Sequence, residues 1–118
     1  MKILVVDDDT TMRDMLVEQL ADHGIDATSV SGVDAALERI AEVRISLVLS
    51  DVQMPRRDGF DLLAALRDRQ PPVPVVLMSA FAHSTTRQRA IDHGAHAFLS
   101  KPFGQRELVE TIRRFALR

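Results

Sequence analysis

Short, continuous runs of branched apolar side chains, separated by stretches of helical period, constrain this chain more than any other feature. Ile3-Leu4-Val5-Val6, Leu47-Val48-Leu49 and Val75-Val76-Leu77-Met78 contain no polar residue. A strand built from such a run has no face that can lie against water. Runs of this kind belong inside a parallel sheet covered on both sides. Ile25 to Val30 is more polar, with Asp26, Thr28 and Ser29, and suits an edge strand. Ala97-Phe98-Leu99 makes a brief fifth strand.

The intervening segments read as helices. Met12, Met15, Leu16 and Leu20 form one stripe, with Thr10 or Thr11 as the candidate N-cap and Gly24 beyond the end. Val33, Ala36, Leu37, Ile40 and Ala41 follow the i, i+3, i+4, i+7 pattern closely. Leu62, Leu63 and Leu66 make a third stripe, closed by Pro71-Pro72, and Leu108, Val109, Ile112, Phe115 and Ala116 make the last. Ser84 to His93 offers little beyond Ala90 and Ile91, so a marginally packed helix is expected there. Five βα units without a composition break predict one α/β domain over residues 1–118, with helices on both faces of the sheet. A chain of 118 residues is long enough to bury one such core.

Composition narrows the function. With five Phe and no Trp or Tyr, there is no platform for stacking bases, and a net charge of -2 argues against a phosphate-binding face. The absence of Cys removes disulfides, thiolate metal sites and cysteine nucleophiles together. No apolar stretch has the length of a membrane span or of a signal peptide. The expectation is a cytoplasmic protein that binds neither nucleic acid nor membrane directly.

In an open α/β sheet, ligands bind beyond the carboxyl ends of the strands. Asp7, Asp8 and Asp9 follow the first apolar run, Ser50-Asp51 the third, Ser79-Ala80 the fourth and Ser100-Lys101-Pro102 the fifth. Taken singly, each has a plainer reading: an acidic helix cap, a turn aspartate, a capping serine, a surface lysine. Together they bring three acids, a hydroxyl and an amine to one edge. Converging Asp7, Asp8 and Asp51 would repel one another and raise their pKa values unless a cation entered. Oxygen donors without Cys or His at the strand ends point to Mg²⁺ rather than zinc. Carboxylates, Mg²⁺ and a lysine read as a phosphoryl-transfer site.

The strings Leu4-Val5-Val6-Asp7-Asp8-Asp9, Asp51-Val52-Gln53-Met54-Pro55-Arg56-Arg57-Asp58-Gly59, Met78-Ser79-Ala80 and Leu99-Ser100-Lys101-Pro102-Phe103 resemble the signature segments of response-regulator receivers. The resemblance spans the chain in order and spacing. It implies a flavodoxin-like doubly wound sheet of order 2-1-3-4-5, a strand order for which a receiver is a standing example.

It further implies that Asp51 accepts a phosphoryl group from a sensor histidine kinase or phosphotransfer protein. Asp8, Asp51 and the backbone carbonyl of Gln53 would ligate Mg²⁺, or Mn²⁺ in its place, with Asp7 holding a metal-bound water. Lys101, the Ser79 hydroxyl and the N–H groups of Val52 and Ala80 would meet the phosphoryl oxygens. Asp9 is better read as a helix cap. Ser79 and Phe98 match the family's switch pair, with Phe98 expected to rotate inward into space that Ser79 vacates. Gln53 and Phe81, two residues beyond Asp51 and Ser79, would set the lifetime of the phosphoryl group. The Lys101–Pro102 bond is expected to be cis. The conformational change would be read by an output domain or downstream protein, with a phosphorylation-dependent homodimer as a further expectation. His96-Ala97 stands where dimerising winged-helix regulators commonly carry acids.

Other features read more simply. His23, His83, His93 and His96 suit the surface rather than a metal site, and Arg113, Arg114 and Arg118 a solvated helix end. Gly59 would permit an unusual φ in the loop after Asp51. Two rivals remain. A haloacid-dehalogenase-like phosphatase matches Asp7-x-Asp9-x-Thr11 but leaves Asp51 and its Met54-Pro55 loop unexplained, and lacks a further acid soon after Lys101. A phosphorylation-independent interaction module would be expected to lack Asp51, Lys101 or one acid of the pair. No output motif follows the last helix, which fits either a stand-alone receiver or a piece of a larger regulator.

Overall fold

The computed structural model describes residues 1–81 and 84–117. Within them strand and helix alternate as β1 (Lys2–Val6), α1 (Thr10–Asp22), β2 (Asp26–Val30), α2 (Val33–Glu42), β3 (Leu47–Asp51), α3 (Gly59–Leu66), β4 (Val75–Ser79), α4 (Ser84–Asp92), β5 (Ala97–Ser100) and α5 (Gln105–Phe115). The strands form one sheet in the order β2-β1-β3-β4-β5, every neighbouring pair parallel. This is the doubly wound, flavodoxin-like order expected, with the winding direction reversing between β1 and β3.

Alternation of side chains along each strand explains the continuous apolar runs. Leu4, Val6, Val48, Val75 and Leu77 point into one core with Val33, Ala36 and Ile40 of α2 and Phe60, Leu62 and Leu63 of α3. Ile3, Val5, Leu47, Leu49, Val76 and Met78 point into the opposite core with Leu16 and Leu20 of α1 and Leu108, Val109 and Ile112 of α5. Each fully buried leucine removed from water contributes about 1.5–3 kcal/mol. β2 is a half-exposed edge, in keeping with its polar residues.

The helix ends differ from expectation in detail. Of the two readings of the start of α1, the Asp9 cap holds and the Thr10 or Thr11 cap does not: the Asp9 Oδ1 accepts the N–H groups of Thr11 at 3.0 Å and Met12 at 3.3 Å. A carboxylate at this end also faces the positive pole of the helix, which favours it over a neutral hydroxyl. Gly24, at φ 73°, ends α1 by donating to Ala21 O at 2.9 Å, in a conformation that costs a β-carbon dearly. Met15 falls outside the α1 stripe and is exposed. So is Ile91, at 49 %. That leaves Ala90 as the buried residue of α4, so the helix is held even more thinly than its sequence suggests. Gln70–Pro71 and Lys101–Pro102 are cis, the second as expected.

Candidate functional site

Because all five strands run the same way, their carboxyl ends share one edge of the sheet. Asp7 follows β1, Asp51 closes β3, Ser79 closes β4, and Lys101 follows β5. Register fixes their spacing, with Asp51 opposite Met78 and Ser79 opposite Ser100. Lys101 Nζ lies 3.3 Å from Asp7 Oδ2 and 3.3 Å from Asp51 Oδ2. Asp7 is 1 % exposed and Asp51 8 %. Asp7 is braced within its own turn, Oδ1 accepting the Asp9 N–H at 2.9 Å. Arg13 reaches back from α1 to donate to Asp7 O at 3.0 Å, which ties the helix to the loop.

Burial pushes the Asp51 carboxyl up from 3.8; the Lys101 ammonium opposes this, and the Asp7 charge adds to it. Desolvation thus outweighs the mutual repulsion expected from the sequence. Asp7, Asp8 and Asp51 each offer an oxygen within 4.8 Å of the others, and among the described residues no other acid or histidine cluster of this kind occurs. Three carboxylates against one ammonium leave negative charge in excess, and all the donors are hard oxygens. The set suits Mg²⁺ or Mn²⁺ and does not suit zinc. Asp8 is exposed, so one side of the cluster stays open to water, as an incompletely dehydrated Mg²⁺ requires. A crevice of roughly 490 Å³ opens beside it, lined among others by Asp8, Gln53, Met54, Phe60 and Arg89.

Ser79 is fully buried, its Oγ donating to Gln53 Oε1 at 2.8 Å and accepting the Phe81 N–H at 3.0 Å. Val52 stands differently from expectation. Its N–H donates to Met78 O at 2.9 Å, continuing the β3–β4 ladder, so it is not directed at the site. The Gln53 backbone, next along the chain, is among the influences that lower the Asp51 carboxyl's pKa. Sequence reasoning missed this influence of Gln53. Extending the ladder one residue past Asp51 would have indicated it, since successive N–H groups of a strand point opposite ways. Ala80 is exposed next to Ser79, and Phe81 is 60 % exposed. Phe98 is 6 % exposed, in the core with Leu77 and Ala90.

The loop after Asp51 is shaped by other means than Gly59's φ, which lies outside the left-handed region; the positive φ, 70°, belongs to Arg56. A β-carbon on Gly59 would sit 2.6 Å from Asp51 O and 3.0 Å from Val52 Cα. Glycine is required for close approach of α3 to β3, and a reciprocal cap fixes that approach. Asp61 N–H donates to Asp58 Oδ1 at 2.9 Å and Asp58 N–H to Asp61 Oδ2 at 2.8 Å. The histidines do not assemble. His93 Nδ1 lies 2.8 Å from Arg89 O, and the His93 ring meets Phe60 edge-on, while His96 packs on Phe115 and His83 lies outside the described residues.

A family model described as the response regulator receiver domain matches residues 3–113. The chain belongs to that family. The receiver is 40% identical over 116 residues to the response regulator protein FleR of Pseudomonas aeruginosa, covering 98% of this chain and 24% of FleR. It is 35% identical over 112 residues to the DNA-binding transcriptional regulator NtrC of Escherichia coli, covering 95% of this chain and 24% of NtrC. It therefore spans about a quarter of the length of these two relatives. Among solved structures, the receiver superposes on the chemotaxis protein CheY4 of Vibrio cholerae with a TM-score of 0.89, at 28% identity and 97% coverage of both chains. The receiver domain of the Francisella response regulator 1452 gives a TM-score of 0.90 at 29% identity, covering 97% of this chain and 94% of that one. Among the described residues no helix is long and apolar enough to cross a membrane.

Proposed function

We propose that this receiver takes a phosphoryl group from a phosphohistidine, on a sensor histidine kinase or phosphotransfer protein, onto Asp51. The observation that carries the reading is the placement of Lys101 Nζ at 3.3 Å from both Asp7 and Asp51, beside three carboxylates that share one open edge. A lone structural ion pair would not need the second and third acid.

An Asp51 carboxylate oxygen forms the new O–P bond as the N–P bond to the histidine imidazole breaks. The pair of electrons leaves with the imidazole, which takes up a proton. Burial raises the basicity of the Asp51 oxygen relative to a solvated carboxylate. Lys101 would move from Asp51 Oδ2 onto a phosphoryl oxygen and balance the charge that grows there. The Ser79 hydroxyl would exchange Gln53 Oε1 for a second phosphoryl oxygen, and the Ala80 N–H would meet another. Asp8, Asp51 and the Gln53 carbonyl would hold Mg²⁺ or Mn²⁺ directly, with Asp7 acting through a water. The ion, when bound, would supply positive charge to the transferring group. Later hydrolysis of the acyl phosphate would reset Asp51, and Gln53 and Phe81 flank the side from which water must approach. Loss of the adduct, followed by mass after the donor is removed, is expected to change severalfold in Gln53→Ala and in Phe81→Ala. Equal decay in both variants and the native chain would remove that role.

Transfer from a histidine kinase would put the protein in the cytoplasm, and the shared quarter of FleR and NtrC supports an output domain or partner that reads the switch. The phosphatase alternative loses its opening motif, since the Asp9 carboxylate is engaged by the first turn of α1 and stands outside the acid cluster.

Intact mass after incubation with acetyl phosphate and Mg²⁺, for the native chain and Asp51→Asn, tests the reading. A single phosphoryl adduct that requires Mg²⁺ and vanishes in the variant is the expected result. An unmodified native chain under every donor would leave a phosphorylation-independent module. Donor hydrolysis that survives Asp51→Asn but dies with Asp7→Asn would restore the phosphatase.

A further inference from the structure

We infer that Arg87 is a positioning residue of the switch: from α4 it clasps β5 in the unphosphorylated conformation, and phosphorylation of Asp51 must loosen that clasp. Arg87 Nη2 donates to Ser100 Oγ at 2.8 Å, and Nη1 donates to Phe98 O at 3.4 Å. Its Cζ stands 5.1 Å from the centroid of the Phe98 ring. One guanidinium therefore grips β5 at three points. The rest of α4 buries Ala90 and little else, so apolar burial alone holds this helix weakly.

Both gripped residues are connected to the site. Ser100 directly precedes Lys101, and the Lys101 N–H donates to Ser79 O at 2.9 Å. Any shift of Lys101 or Ser79 toward a phosphoryl group is passed along the chain to Ser100 and Phe98. Phe98 has no hydroxyl, so the ring cannot signal its position by hydrogen bonding. The cation over its face can, because a cation–π contact is lost when the ring turns. The conformation described is the one without a bond from Ser79 to a phosphoryl group, since the hydroxyl is directed at Gln53 Oε1. An interaction made in one conformation only opposes, by its own free energy, any ligand that selects the other.

This inference rests on the phosphoacceptor reading, and the test separates the two. Affinity for beryllofluoride, a phosphoryl mimic, is measured by calorimetry in saturating Mg²⁺. The proteins are the native chain, Asp51→Asn, Arg87→Ala, Arg87→Lys and a surface control, Arg106→Ala. Arg87→Ala is expected to bind roughly three- to tenfold more tightly than native, the scale of one exposed cation–π contact with its hydrogen bonds. Arg87→Lys should fall between, keeping the charge but losing the planar fork. Arg106→Ala should match native. The direction is diagnostic, because deleting a cation near an anion site would by itself weaken binding. Arg87→Ala binding equal to or weaker than native, with native binding intact and absent in Asp51→Asn, overturns the clasp alone. A native chain that does not bind the mimic overturns the phosphoacceptor reading and the clasp with it.

Discussion

Lys101→Met is expected to lose roughly 3 kcal/mol of stability at pH 7 without Mg²⁺, the usual scale for deleting one partner of a buried ion pair. Lys101 Nζ is shared at 3.3 Å by Asp7 and Asp51, which are almost entirely buried, and no other amine or guanidinium among the described residues pairs with either carboxylate. The loss should depend on pH with a definite sign. Asp51 already has its carboxyl raised above 3.8 by burial, so the folded state binds its proton more tightly than the unfolded state does. Such a group favours folding below the ordinary carboxylate value, and that contribution is lost as pH rises through the raised folded value. Removing the lysine takes away the main influence that lowers this value, so the window extends upward. Urea unfolding in chelator at pH 5 and pH 7 should show the variant recovering stability at the lower pH, by more than the native chain does. Mg²⁺ should restore part of the loss at pH 7 through the same carboxylates. Equal destabilisation at both pH values would mean that the lysine acts through packing of its stem and not through its charge. The phosphoryl adduct on Asp51 should form far more slowly in the variant even where it is fully folded.

Gly59→Ala is the second large effect, and it arises without any change of charge. The added methyl carbon would stand 2.6 Å from Asp51 O, 3.0 Å from Val52 Cα and 3.1 Å from Leu77 Cδ2. Two of these three are backbone atoms of β3 and its continuation, which cannot move aside as a side-chain end would. Alanine is a better helix former than glycine by about 1 kcal/mol. Overpacking against backbone costs more, about 1–3 kcal/mol or above, so the net change is destabilising. A fall in melting temperature on the order of 10 °C is expected. The strain falls on Asp51 and Val52 themselves, so adduct formation should slow in the fraction that remains folded. A variant that melts at or above the native temperature would show that α3 can slide away from β3 at little cost.

Much of the architecture was legible because it depends on short-range pattern. The unbroken runs at Ile3, Leu47 and Val75 require burial on both faces, and in a chain of βα units that requires a parallel sheet. A parallel sheet in turn puts every strand's carboxyl end on one edge, so Asp7, Asp51, Ser79 and Lys101 fall into one group from the sequence alone. The chemistry of the cluster followed from residue type alone: acids, an amine and a hydroxyl, without Cys.

Tertiary structure decided what depends on distance and direction. Gly59 reads in the sequence as a loop glycine, whereas its reason lies across space in the carbonyl of Asp51. Val52 follows Asp51 directly in the chain, and only the ladder to Met78 determines that its N–H is taken up within the sheet and not directed at the site. Arg87 looks like any exposed helical arginine until β5 is placed beneath it, 5.1 Å from the Phe98 ring. Asp51 is the clearest case. Sequence brought it into an acidic group and suggested repulsion as the force on its proton, but the depth of burial made desolvation the larger force. Pattern determines which residues must be inside and at which edge the polar ones gather. How deep each one lies, and what its dipoles face, is set by contacts between residues far apart in the chain, and those no local period encodes.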